Sequence, residues 1–433
     1  MRQFLIALII ILILAGVGGG AWWYLQFNRG SNPNVPVAPA LDDSLGQNFP
    51  ISDPIVDPTP LTDPNHPTNN STASETPAEP VLDQPSGLSI LNSRAASGAM
   101  IIAAATSSAS DKLVFLERET GLVAEINLKS GEKRSLARLP VRGAIETGVL
   151  ALSNGKLTAW FSTLVGESKN YFQATVTLAT STAELNLPEP PIESLAPQVR
   201  ELALSPARDQ FFTLETVGEE TIGKVTTMKT GKTSLVFNSK LNQWLVSWPE
   251  KNLISLTSRP ADNLPGHLYL VNLKTNSADP VLSGINGLIS LVSPNGQKVL
   301  YSKIGNLGLE LSLYTRSTKE TRPLTVKTLA NKCVWNDSST FIYCAAPQSV
   351  GASFSLVNRL LGGVKFNDLV WKINADTGTA QLVWAETAGL GDAINLLITK
   401  DERKIVFTER EMGQLRQVEL KDGLTPVAPT THE

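Results

Sequence analysis

The sequence is poor in the residues that most often carry chemistry. Its 433 residues include two cysteines, Cys333 and Cys344, and three histidines, His66, His267 and His432. His66 lies in a proline-rich tract and His432 next to the last residue, so His267 alone serves the body of the chain. A histidine-based metal centre or hydrolase triad therefore lacks its parts. No Gly-x-Ser-x-Gly elbow, phosphate loop, His-Glu-x-x-His helix or calcium loop occurs. Charged residues make up 18 % and the formal net charge is −3, which removes the electrostatic case for nucleic acid. No cofactor is expected, and no residue is singled out as catalytic, cofactor-binding or metal-ligating.

Basic residues are missing from one long stretch. Between Gly30 and Ser93 there are eight acids and no Lys or Arg, and residues 29–97 hold twelve of the 27 prolines. Such a segment buries too little apolar surface to offset its ordering entropy. Residues 29–97 are therefore expected to be a disordered, semi-extended acidic linker, a stalk that carries the body of the chain.

Only one long hydrophobic run is present. Phe4 to Val17 are apolar without a break, and Trp22, Trp23, Tyr24 and Leu25 extend the run. About 20 apolar residues cross a bilayer as a helix. The aromatic trio stands where an interfacial belt would lie. Residues 1–28 are thus expected to be an uncleaved signal-anchor helix with the lipid bilayer as its partner. Arg2 ahead of the run predicts a cytoplasmic N-terminus and an extracytoplasmic body. The alternative is cleavage near Gly18-Gly19-Gly20-Ala21, which leaves a secreted or periplasmic body.

From Gly98 onward short β-rich runs alternate with turn signals. The clearest example is Leu291 to Ser302, in which two apolar strands flank a Ser293-Pro294-Asn295-Gly296 corner. Related corners stand at Ser110-Asp111, Ser153-Asn154-Gly155, Ser205-Pro206, Trp248-Pro249-Glu250, Asn336-Asp337-Ser338 and Lys400-Asp401-Glu402. After each come an apolar strand such as Lys298-Val299-Leu300-Tyr301, an alternating strand, a polar turn and a short edge strand. Four strands in roughly 45 residues is the blade of a propeller.

The pattern resembles the TolB-type propeller repeat, a relative of the WD40 group. The resemblance rests on the Ser293–Gly296 corner, the strand after it, and the strand-and-turn Leu268-Tyr269-Leu270-Val271-Asn272-Leu273-Lys274-Thr275. It implies an all-β, seven-bladed propeller of four-stranded blades over residues 98–428, with a disordered tail at 429–433. It implies little about activity, because propellers host many functions. The outer strand of the last blade is expected from Leu424 to Val427, or else the ring closes through Met100-Ile101-Ile102.

Two stretches are candidates for function. If the turn between Cys333 and Cys344 centres at Ser338-Ser339, the two cysteines lie opposite each other on one hairpin, and an oxidising exterior favours a disulfide. The alternative is two buried thiols. The second stretch is the insertion from Ala346 to Phe366, where a short helix is expected with Ser353 as cap and Gly362 as stop. Phe354, Leu356, Val357, Leu360 and Leu361 form its candidate interaction loop. The alternative is that this helix folds back on its own blade. The function expected is a membrane-anchored, non-catalytic scaffold or sensor that binds an unknown envelope protein or ligand. The alternatives are an envelope hydrolase of glycans or esters with its site in the central channel, and a purely structural or adhesion protein.

Overall fold

A computed structural model describes residues 87–421, apart from 105–109, 142–144, 154, 166–167, 178–186, 307, 352–353 and 387–388. The expected anchor with Trp22, Trp23 and Tyr24, the linker up to residue 86 and the tail at 429–433 lie outside the described residues. Among the described residues no helix is long and apolar enough to cross a membrane.

The Ser293 corner shows why these residues fold as they do. Ser293 N donates to Lys298 O (2.9 Å) and Gly296 N to Ser293 O (2.8 Å). Gly296 has φ +69°, and the Ser293 hydroxyl accepts from Lys298 N (3.0 Å). Three other corners have lost this glycine yet keep its geometry. Arg208, Ser339 and Glu402 stand in the equivalent place with φ between +57° and +61°. A left-handed non-glycine residue costs roughly 1–2 kcal/mol, so the surrounding ladders must hold it there.

Six of the seven corners lie between the first two strands of an antiparallel group. Five groups are separate four-stranded sheets. The first comprises β5 (Ile145–Ser153), β6 (Lys156–Val165), β7 (Ser168–Thr177) and β8 (Ile192–Ser194). The second comprises β9 (Val199–Leu204), β10 (Gln210–Val217), β11 (Glu220–Thr227) and β12 (Thr233–Ser239). Next are β13 (Trp244–Glu250), β14 (Leu253–Ser258), β15 (Pro265–Asn272) and β16 (Ser277–Asn286). The fourth holds β17 (Ile289–Val292), β18 (Lys298–Gly305), β19 (Gly308–Thr315) and β20 (Glu320–Pro323). The fifth holds β21 (Cys333–Trp335), β22 (Phe341–Pro347), β23 (Asp368–Asn374) and β24 (Ala380–Trp384).

The two ends of the described stretch meet in a sixth, seven-stranded sheet. It runs β25 (Ala393–Ile398), β26 (Lys404–Glu409), β27 (Gln414–Glu419), β1 (Leu88–Ile102), β2 (Lys112–Glu117), β3 (Leu122–Asn127) and β4 (Lys133–Arg138). The expectation of seven separate blades is corrected here to five separate blades plus this sheet. The reason is the fifteen-residue length of β1. Its first half, Leu88 to Ala95, pairs with β27, and its second half, Ala96 to Ile102, pairs with β2.

The boundary expected at Gly98 moves as well, because Leu88 to Ser97, expected in the linker, are strand. They hold the outer-strand place expected of Leu424 to Val427, which lie outside the described residues. Trp248-Pro249-Glu250 belongs to β13 itself, so that corner falls two residues later.

First strands of successive groups lie side by side, β1 next to β5, β9 next to β13 and β21 next to β25. This is the radial order of a propeller. The core lies between neighbouring groups. Phe212 and Leu214 pack with Trp244, Trp248 and Ile254, and Leu253 and Leu268 pack with Val299 and Tyr301. Each group buries its faces only by stacking on the next. Trp160, Trp244, Trp248, Trp335 and Trp384 are all buried.

Antiparallel order gives the fold two faces. The corner face carries the first-to-second corners and the third-to-fourth turns. The crossing face carries the second-to-third turns and the crossings to the next group. Both ends of the described chain leave from the corner face, where Glu419 N donates to Gly87 O (3.1 Å).

Candidate functional site on the crossing face

The insertion after β22 forms a strap across this face. Its helix α1 (Leu356–Leu360) is capped by Ser355. The expected cap, Ser353, lies outside the described residues. Gly362, with φ +87°, ends the turn. Leu356 is fully buried in a cluster with Leu309, Val326, Leu329 and Trp335, so it packs over β17–β20 as well as its own blade. Phe354 stacks on Phe366, with ring centroids 5.8 Å apart.

A residue from a blade further away holds the start of the helix. Asp262, between β14 and β15, accepts from the Ser355 hydroxyl (2.7 Å), Leu356 N (2.6 Å) and Val357 N (3.3 Å). The strap therefore joins β13–β16 to β21–β24 and passes the blade between them. The helix thus packs on its own blade, as the alternative reading expected, and reaches two further blades as well. A carboxylate at a helix start satisfies amides that have no partner within the helix.

Buried charges hold the other end of the strap. Lys332 closes a 3-10 turn (Ala330–Lys332) just before β21. Its amine donates to Asp368 Oδ2 (2.8 Å), Asp392 Oδ1 (2.6 Å) and Ala393 O (2.6 Å). Arg359 of the helix forms a two-pronged pair with Asp392, one prong measuring 2.6 Å. Its guanidinium also lies over the Phe366 ring (4.4 Å). Arg410, in the turn after β26, donates to Arg359 O (2.8 Å). Lys332, Asp368, Asp392 and Arg359 are each at most 4 % exposed.

The two aspartates are driven in opposite directions. Burial pushes Asp392 up, but hydrogen bonds from Arg359 and the Lys332 charge outweigh it, and the net shift is downward. Burial wins at Asp368 and pushes its carboxyl up to about 6, against the pull of Lys332. One of its oxygens, Oδ1, has no hydrogen-bond partner.

A carboxyl raised in the folded state holds its proton where the unfolded chain has lost it. The Asp368 contribution to stability is therefore greatest below pH 4 and falls as pH rises towards 6. The shift corresponds to about 3 kcal/mol. Asp368→Asn is expected to gain on the native protein by up to about that amount between pH 4 and pH 7. Melting curves of both proteins across this range check it, and parallel pH profiles contradict it.

The outer surface of the strap is apolar. Val357 is 42 %, Leu360 58 % and Leu361 81 % exposed. Of the predicted interaction-loop residues, these three face out, Leu356 is buried and Phe354 is partly buried. The same face carries others. Leu164, Val217, Leu264 and Met412 are exposed at other second-to-third turns, and Leu241 at the crossing from β12 to β13. Eight of the ten exposed large apolar side chains among the described residues thus lie on the crossing face. The other two, Ile90 and Leu235, lie on outer strands.

The corner face differs. A recess of about 560 Å³ there is lined by Lys298, Glu320, Arg322 and Asp376, and Lys298 and Asp376 already bond each other at 2.5 Å. Among the described residues no group of three or more His, Cys, Asp or Glu could hold a metal ion.

Cys333 and Cys344 are directly opposed in β21 and β22 and joined by a disulfide, with Cα atoms 4.0 Å apart. The bond pins the innermost hairpin of the blade that carries the strap. The His267 ring bonds the Ser283 hydroxyl (2.8 Å), a contact within its own sheet.

Strand order and radial packing define this protein as an all-β propeller with four-stranded blades. No protein-family model and no curated protein matches the chain. Similar solved structures include tricorn protease, at 8 % identity and TM-score 0.42, over 71 % of this chain and 37 % of that one. Oligogalacturonate lyase in complex with manganese is similar at 12 % identity and TM-score 0.45, over 75 % of this chain and 98 % of that one. TolB from Acinetobacter baumannii is similar at 10 % identity and TM-score 0.39, over 75 % and 79 %. The chain spans only 37 % of tricorn protease.

Proposed function

We propose that this chain is a tethered extracytoplasmic scaffold whose crossing face docks a protein partner at the cell envelope. The observation that carries this is the number of exposed aliphatic tips on the face opposite both ends of the described stretch. Exposed apolar side chains gathered on one face mark interaction surfaces. The apolar run from Phe4 to Leu25 supports a membrane tether. Both ends of the described chain leave from the other, corner face. The strap is fixed at both ends, so its tips are presented with little ordering entropy to lose on binding. We read the seven-stranded sheet as two blades that share β1, which makes seven in all. The register break near Ala95 and Ala96 and the two corners in that sheet support this count.

An enzymatic reading remains the alternative. A carboxyl raised to about 6, as at Asp368, suits a general acid. It is fully buried, however, and no substrate reaches it unless the strap opens.

The test replaces Val357, Leu360 and Leu361 together with serine in the full chain. Thermal stability is expected to change little, because all three side chains face water. Partners crosslinked in envelope membranes are expected to be lost. An unchanged partner set overturns the reading.

A further inference from the structure

The buried charges behind the strap form an arrangement that an ion pair alone does not explain. The Lys332 amine touches two carboxylates, Asp368 Oδ2 at 2.8 Å and Asp392 Oδ1 at 2.6 Å. A buried ion pair is secured only when its remaining lone pairs are bonded as well. Asp392 meets that condition through the two prongs of Arg359. Asp368 does not. Its Oδ2 accepts from Lys332 and from Ala393 N (2.8 Å), while Oδ1 is buried with no hydrogen-bond partner among the described residues.

The site is closed to solvent. Lys332, Asp368 and Asp392 are each at most 2 % exposed, and the Phe366 ring centroid lies 5.3 Å from the amine. Burial favours the neutral form of Asp368. When its proton comes from the neighbouring ammonium, the amine becomes a nucleophile held one carbon–oxygen bond from an electrophilic carbon. The Arg359–Asp392 pair then balances its own charge. Groups fixed at such range react with effective molarities of about 10⁵–10⁸ M, and a closed site keeps out the water that would reverse the reaction.

We propose that Lys332 and Asp368 condense into an intramolecular amide, a covalent cross-link between the turn before β21 and the head of β23. The amine nitrogen bonds Asp368 Cγ, and the Cγ–Oδ1 bond breaks. Asp392, in contact with the amine, takes one of its protons and returns it to the departing oxygen, which leaves as water. No oxidant, reductant or activated co-reactant is needed. In the product Oδ2 keeps the Ala393 N–H, the remaining amide N–H keeps Asp392 as acceptor, and the orphaned oxygen is gone. The ion pair is the precursor, so the pH dependence of Asp368 belongs to the chain before the bond forms. The inference is independent of what the crossing face docks.

The experiment is mass spectrometry of the full chain, reduced and alkylated at its cysteines, before and after incubation in the folded state. The linked chain is expected to be lighter by one molecule of water. Trypsin is expected to leave a branched peptide that joins the segments around Lys332 and Asp368, with no cleavage after Lys332. Lys332→Met is expected to lack this peptide. Asp368→Asn is expected to keep it at the same mass, because the same amide forms with loss of ammonia. A chain held in urea is expected not to form it. Cleavage after Lys332 in all of the folded chain overturns the proposal. So does a loss of water with no branched peptide, or equal linkage in urea.

Discussion

Asp392→Ala is expected to destabilise the protein by about 3–5 kcal/mol, the cost of breaking a buried ion pair from one side. Asp392 receives Lys332 at 2.6 Å and Arg359 through two prongs. Without it Arg359 keeps only the Val364 and Phe366 contacts, and Lys332 keeps Asp368 and a carbonyl. Two buried cations would then share one carboxylate that burial already pushes towards neutrality. Urea unfolding measures the loss. Hydrogen exchange adds a local readout, because amides from 354 to 366 should exchange faster than those of β5–β8. A loss below about 1 kcal/mol would place the network in the class of weak, solvent-screened pairs.

Removal of residues 88–95 is expected to have the larger effect. These residues make the ladder to β27 and join the first and last groups of strands into one sheet. Their loss bares the edge of β27 and uncouples the first and last groups. An unpaired edge is a template for intermolecular pairing. The variant should unfold without a single cooperative transition and aggregate on heating. Removal of residues 60–67, in the proline-rich stretch, provides a control of equal length and should change neither. Normal cooperative melting of the first variant would show that the ring does not depend on this closure.

The repeat was legible because a corner needs particular residues. Ser293-Pro294-Asn295-Gly296 encodes a turn by its own chemistry, and six of the seven aligned corners fall between the first two strands of a group. Arg208, Ser339 and Glu402 blur the pattern, since nothing local marks them as left-handed. The start of β1 is hidden because its first half resembles the linker. Leu88-Ser89-Ile90-Leu91-Asn92-Ser93 comes directly after a proline-rich run, and only its pairing with residues 414–418 makes it strand.

The strap's anchors had no sequence signal strong enough to find them. Asp262, Lys332, Asp368 and Asp392 are spread over 130 residues and meet only through the fold. A charged residue at the head of an apolar strand, as in Asp368-Leu369-Val370 and Asp392-Ala393-Ile394, is the one hint. The aliphatic residues of the insertion were visible in the sequence. Which of them face water depends on Asp262 and Arg359 fixing the helix orientation.

The most direct measurement places a photo-crosslinking residue at position 361 or at position 274 of the full chain, in its native membrane. Leu361 tops the strap, and Lys274 is exposed on the corner face. Protein adducts are predicted from position 361, not from 274, and they should vanish when Val357 and Leu360 are serine. Adducts of equal yield from both positions, or from 274 alone, would contradict a docking role for the crossing face.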